Sequence, residues 1–197
     1  MLVSVILMGV SVKFLLITNW GADPWTTINS ALSNRTGISF GTCELITNII
    51  LLVIVLWKER SLLGLGTVCN MILVGYSADF TGWVVEKMFG TLQFNSPVSK
   101  ILVIVPALVV FVFTAGIYMH SNLGTAPYDA FCNLIHVRLC RMTGKSIKFR
   151  IVRMIYDGSM SLIGFLAGGK IGIVTVGIIL TMGPAVDLVG HLLNKNK

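Results

Sequence analysis

The sequence predicts an all-α polytopic membrane protein: six transmembrane helices and two short re-entrant helices, arranged as two repeats of opposite orientation. Three observations carry that expectation. Only 12% of residues are charged and 55% are hydrophobic, with a mean hydropathy of +0.86, whereas a soluble domain carries about 25% charged residues. A chain this apolar cannot cover itself with polar groups in water, so lipid is its natural solvent. Six segments are also long enough to cross a hydrocarbon core, which takes roughly 17–25 apolar residues. Finally, the chain repeats itself.

The six segments fall at about residues 2–20, 41–57, 62–84, 100–120, 150–168 and 171–192. Lys13 interrupts the first, and Arg153 and Asp157 interrupt the fifth. The first run has no basic leader and no small-residue cleavage site after it, so it is expected to be a retained helix. Between the first and second spans lies a polar stretch, residues 24–34, and between the fourth and fifth lies another, residues 127–142. Residues 24–34 would reach only about 17 Å as a helix, against a hydrocarbon core of about 30 Å. Re-entry on one face is therefore expected for both.

The repeat shows in three matches. Gly21-Ala-Asp-Pro24-Trp25 aligns with Gly124-Thr-Ala-Pro127-Tyr128 at an offset of 103, and Thr36-Gly37-Ile-Ser39 with Thr143-Gly144-Lys-Ser146 at 107. Gly64-Leu-Gly-Thr67-Val68, with Gly75, Asp79 and Gly82, aligns at 108 with Gly172-Ile-Val-Thr175-Val176, Gly183, Asp187 and Gly190. Residues 1–90 and 98–194 thus form two repeats of one membrane domain. An odd number of crossings per repeat inverts the second copy, as in many transporters. With both termini inside, the inner loops carry nine basic residues and the outer ones four, the expected positive-inside bias. If both short helices crossed instead, the bias would be ten to three, so charge supports internal termini without separating inverted from parallel repeats.

The net charge of +7 does not point to nucleic acid, because the basic residues cluster between apolar runs, as cytoplasmic loops do. Cys43, Cys69, Cys132 and Cys140, and His120, His136 and His191, show no metal-ligand spacing. There is no nucleophile–base pairing and no phosphate loop, so neither an enzyme, a metal nor a cofactor is expected.

Asp23-Pro24-Trp25 is built as a helix start, with Asp as N-cap and Pro at the first helical position. Two proline-started polar helices at matching places in two membrane halves mark a central binding site. Their unpaired N–H groups and positive dipole ends suit a polar or anionic group. The candidate binding residues are Asp23, Trp25, Thr26 and Asn29 in the first copy, with Thr27 and Ser30 beside them, and Tyr128, Asp129 and Asn133 in the second. Trp25 and Tyr128 serve equally well as interfacial anchors. Asp79 and Asp187 occupy one repeat position, and Glu44 has no counterpart; an acidic residue in an apolar helix is a functional candidate, here for ion coupling. Solvated interfacial carboxylates are the alternative for the two aspartates. Glu44, Asn48 and Asn70 have no polar counterparts in the second half, which carries Ile151, Ile155 and Ile178 at the matching positions, so any shared polar cavity would be asymmetric. Lys13 is expected to face protein with an acidic partner, or to snorkel. Arg153 and Asp157, four residues apart, are expected to pair locally, and Pro184 to kink its helix.

The stretch GADPWTTINSALSNRTGISFG, residues 21–41, resembles the signature of the YczE/YyaS/YitT family of bacterial integral membrane proteins, in which a LGxxPW segment precedes a polar helix and a TGxSxG turn. The likeness extends more loosely over Gly64–Asp79 and its echo Gly172–Asp187. Trp25 is kept, whereas Trp20 stands where the family has another hydrophobic residue. The resemblance implies a polytopic protein of the bacterial inner (cytoplasmic) membrane, often supposed to be a permease, and carries over no substrate and no catalytic residue.

The leading expectation is a transporter or channel for a small polar or anionic solute bound between the repeats. Its partners would be the lipid bilayer, the solute and, if it assembles, a second copy of itself. Two other readings stay open. One is an accessory protein that docks a cytoplasmic partner through the basic loop at residues 138–150, although that loop also serves simply as the topology determinant. The other is the solute-binding subunit of a larger importer.

Overall fold

The computed structural model describes residues 1–182 except Gln93, Asn95, His120 and Asn122. Among them there are helices and no strand: α1 Leu2–Thr18, α2 Pro24–Thr36, α3 Phe40–Lys58, α4 Leu65–Phe89, α5 Pro97–Met119, α6 Pro127–Thr143, α7 Phe149–Leu166 and α8, described over Ile173–Met182. The expectations that rest on Pro184, Asp187, His120 and His191, and on residues 183–192 of the sixth span, lie outside the described residues.

Local chemistry sets these boundaries. Asn19 ends α1 in the left-handed conformation (φ 57°). Asp23 caps α2, its Oδ1 accepting the Thr26 N–H at 3.1 Å, with Pro24 at the first position. Ser39 caps α3 by accepting the Thr42 N–H. The matched TG turns close the two short helices alike, through Gly37 (φ 73°) and Gly144 (φ 63°), both left-handed. The starts differ, because Ala126 stands where Asp23 does and has no side chain with which to cap α6.

The helices α3, α4 and α5 are long and apolar enough to cross a membrane, and α1 and α8 are shorter apolar helices over their described lengths. Large apolar side chains point outward along α3, α5 and α7: Trp57 is 82% exposed, Val109 64% and Ile155 69%. In water such a surface would be a severe aggregation liability; in a bilayer it is the expected exterior. The protein is therefore a helical membrane protein.

Helix directions follow from named contacts. Gly9 of α1 lies against Val74 and Ser77 of α4, and Lys13 against Gly82, so α1 and α4 run parallel. Gly41 of α3 lies against Gly75 and Asp79, and Glu44 against Gly75, so α3 runs against α4. The helix α1 thus finishes, and α3 starts, at the same end of the molecule, and α2 between them makes no traverse. Helix α5 is antiparallel to α1: Val5 clusters with Tyr118, while Leu15 clusters with Ile104 and Ala107. Gly164 near the end of α7 lies against Thr27 and Ile28, so α7 finishes where α1 does. Hence α7 starts where α5 finishes, and α6 makes no traverse either.

Each short helix packs across the molecule, α2 on α7 and α6 on α3. The glycine-rich turns interlock in the same crossed manner. The Gly66 N–H donates to the Leu123 carbonyl at 2.7 Å, and the Val174 N–H donates to the Trp20 carbonyl at 3.3 Å. A side chain on Gly64 or Gly172 would collide with the carbonyl it faces, Leu123 or Trp20. Gly21 (φ 95°) and Gly124 (φ 103°) complete the two turns in a backbone conformation that other residues rarely adopt.

Candidate functional site

The crossed packing brings the N-termini of α2 and α6 together near the middle of the molecule. The rings of Trp25 and Tyr128 sit 5.0 Å apart, and Tyr128 lies 4.8 Å from Tyr156. Asn48 and Asp157 lie halfway along α3 and α7 and line the same space. A cavity of about 80 Å3 opens there, lined by residues of all eight helices.

Its polar wall falls into two parts. On the second-half side, Arg153 is held between two carboxylates, its Nη1 2.5 Å from Asp129 Oδ1 and its Nε 3.0 Å from Asp157 Oδ2. Tyr128 donates its hydroxyl to Asp157 Oδ1 at 2.6 Å, and the guanidinium lies 5.3 Å from the Tyr128 ring, within cation–π range. All four groups satisfy one another. Such a buried network is costly to break because each charge depends on its neighbours.

On the first-half side the groups are not satisfied. Asp23 Oδ2, Trp25 Nε1, Glu44 Oε2 and Asn70 Nδ2 are buried without a hydrogen-bond partner in the protein, and all four residues line the cavity. Leaving a buried polar group unpaired costs about 1–3 kcal/mol, so four around one space leave it suited to a polar occupant. Neither Asp23 nor Glu44 has a basic partner within ion-pair distance among the described residues. Formally the cavity sets four carboxylates against one guanidinium. The helix N-termini, read alone, favour an anion; the carboxyl of Asp23 already occupies that end of α2, and Glu44 adds a second carboxyl to the same cavity.

Of the residues singled out from the sequence, Asp23, Trp25, Thr26, Tyr128, Asp129 and Glu44 line this one cavity. Asn29 turns away. Its amide donates to the Trp25 carbonyl at 3.0 Å, and its oxygen accepts from Thr47 at 2.7 Å, which ties α2 to α3. Asn133 is half-buried on α6 and does not line the cavity. Asp79 accepts the Gly41 N–H at 2.8 Å, capping the start of α3 from a neighbouring helix, where a negative group meets the positive dipole end. Asp187 lies outside the described residues. Arg153 and Asp157 pair locally as expected, but the pair also reaches Asp129 on α6 and walls the cavity. Lys13 has no acidic partner within ion-pair distance among the described residues, so of its two expected arrangements the acidic pairing is not the one found. The polar lining residues not named as binding candidates from the sequence are Asn48 and Asn70, noted only as making any shared cavity asymmetric, and Arg153 and Asp157, taken as structural. An arginine and an aspartate inside one apolar segment was the signal for the latter pair.

The fold and this cavity define a helical membrane protein with a buried polar site shared by both halves. The chain belongs to a family of unknown function, DUF6198, which matches residues 1–191. It is 26% identical over 182 residues to an uncharacterised protein of Haemophilus influenzae, covering 92% of this chain and 77% of that one. It is 24% identical over 161 residues to the uncharacterised membrane protein YczE of Bacillus subtilis, covering 82% and 68%. The uncharacterised protein YyaS of the same organism is 25% identical over 130 residues, covering 64% and 62%. The likeness to YczE and YyaS read in residues 21–41 is thereby borne out. No solved structure matches the chain.

Proposed function

We propose that the protein is a small-solute transporter or channel of the bacterial inner membrane, with its termini in the cytoplasm, and that its solute is polar and cationic or neutral rather than anionic. The observation that carries this reading is the set of unpartnered buried groups, Asp23, Trp25, Glu44 and Asn70, around one central cavity. Two acceptors and two donors in a space of about 80 Å3 suit an ammonium-like or amide-like solute of a few heavy atoms.

The helix directions support two inverted repeats with six spans and two re-entrant helices. The matched helices α1 and α5 run antiparallel, and the crossed contacts of α2 with α7 and α6 with α3 are those a twofold axis in the membrane plane would generate. In transporters built this way, half-helix ends meet at a site near the midplane. Alternating access would rock one half against the other, with the interlocked glycine turns as pivots. No chemistry on the solute is invoked.

The test is a shrinkage-and-recovery assay on proteoliposomes with small solutes of three kinds: methylammonium and guanidinium, urea and glycerol, acetate and formate. Cations or neutral solutes should re-enter faster than in protein-free vesicles, and anions should not. Glu44→Gln should slow cation entry at least tenfold. Rates equal to those of empty vesicles across the panel, or anions entering fastest, would remove the proposal.

A further inference from the structure

A second and larger cavity, of about 310 Å3, lies at the end of the molecule where α1 finishes. It is separated from the central site by the linker before α2, which lends Ala22 to this cavity and Asp23 to the other. Its character is opposite. Two lysines, Lys13 and Lys170, line it together with Ser30, Ser33 and Asn34, and no carboxylate does so among the described residues.

Lys13 is the informative residue. It sits inside an apolar helix, where an ammonium is expensive and is a functional candidate by default. Its stem lies across Gly82 of α4, where any side chain at position 82 would meet Lys13 Cε and Nζ. The bare glycine therefore leaves the notch that directs this lysine, and no acidic group among the described residues neutralises it within ion-pair distance. Lys170 spends one of its N–H donors on Asn19 Oδ1 at 2.8 Å and keeps two. Ser33 donates its hydroxyl to the Ile38 carbonyl and adds only an acceptor. Ser30 and Asn34 add a hydroxyl and an amide. The space is far larger than a halide needs, and donors reach it from α1, α2 and the segment before α8. That distribution suits a tetrahedral oxyanion, which accepts hydrogen bonds in several directions at once.

We propose that this cavity binds a phosphate group, separately from the solute of the central site. The group is either free phosphate or the headgroup phosphate of an anionic lipid, because the cavity opens at one end of an apolar bundle. The proposal does not depend on what the central cavity carries.

The test measures unfolding temperature in a phosphate-free, uncharged detergent. Inorganic phosphate is titrated against sodium chloride at equal ionic strength, and in a second arm phosphatidylglycerol is added to the micelles. Phosphate also stabilises proteins without specific binding, so the reading is the difference between variants. The intact protein should gain about 3 °C or more, saturably, from one of the two probes. Lys13→Met and Lys170→Gln should lose most of that gain, whereas Lys145→Gln, on the far exposed turn, should keep it. A gain with phosphatidylglycerol alone assigns the site to lipid, and one with inorganic phosphate assigns it to the free ion. Should Lys13→Met fail to fold, Lys170→Gln, at an exposed position, carries the comparison. Equal gains in all four proteins, or none with either probe, would overturn the proposal.

Discussion

Replacing Arg153 by methionine keeps the bulk of the side chain and removes its charge. The guanidinium holds Asp129 at 2.5 Å and Asp157 at 3.0 Å, and Asp157 is 1% exposed. Its loss leaves two carboxylates in a buried space with only the Tyr128 hydroxyl, 2.6 Å from Asp157, to share between them. Removing one partner of a buried ion pair costs about 3–5 kcal/mol, and the upper half of that range applies here because one cation serves two anions. Arg153→Lys should recover only part, since an ammonium is a point charge and cannot present two separated donors in a fixed fork. The compensated triple variant Arg153→Met, Asp129→Asn, Asp157→Asn should recover most, because no uncompensated charge then remains. The assay is reversible unfolding in mixed micelles, following tryptophan emission against denaturant, with all four proteins run together. A loss under about 1 kcal/mol for Arg153→Met, as for an exposed pair, would refute the buried triad. So would a triple variant no more stable than the single one.

Three further outcomes follow from the same geometry. Gly64→Val and Gly172→Val should each lower stability by about 1–3 kcal/mol through overpacking, and by similar amounts because each meets a carbonyl of the opposite turn; micelle unfolding reads both. Asp79→Ala should cost about 0.5–2 kcal/mol, as the loss of a helix cap does, yet leave cation entry into proteoliposomes within threefold of the original protein. In a cysteine-free background, cysteines replacing Arg35 and Ser61 should react with an impermeant maleimide from opposite faces of the membrane, with Ser61 inside; Ser61 labelled from outside and Arg35 from inside would contradict a non-traversing α2 after an internal N-terminus.

Much of the fold was legible because membrane helices declare themselves through length and apolarity, and because the motifs around Pro24, Gly37 and Gly64 each recur. Asp23 as a cap, Pro24 as a first helical residue and Gly37 as a left-handed stop are local instructions, and the structure follows them at the expected positions. The helix ends shifted by a few residues where a local reading had no anchor; the third long helix runs to Phe89 rather than 84, ending at Gly90, whose φ is 70°. The charge of the site was not legible. Free helix N-termini favour anions, but whether a carboxylate from another helix lies beside them is a matter of packing, and Glu44 on α3 does. Arg153 shows the same limit: spacing of four residues accounts fully for its bond to Asp157, and nothing local reveals that α6 brings Asp129 to its other nitrogen. The departures from repeat symmetry were informative, since the unmatched residues Glu44, Asn48 and Asn70 are among those that line the cavity, which is asymmetric as their lack of counterparts implied.

The central claim is that the ends of α2 and α6 meet at a solvent-reachable cavity with an excess of carboxyl groups over basic ones. Thr26, 4% exposed and lining that cavity, is the position to probe. With Cys43, Cys69, Cys132 and Cys140 replaced and Thr26→Cys introduced, the rates of reaction with a cationic ethylammonium thiosulfonate and an anionic ethylsulfonate thiosulfonate are compared in proteoliposomes. The account predicts that the cationic reagent reacts at least tenfold faster and that Glu44→Gln narrows the ratio. No reaction with either reagent until the protein is denatured, or a faster anionic reagent, would contradict it.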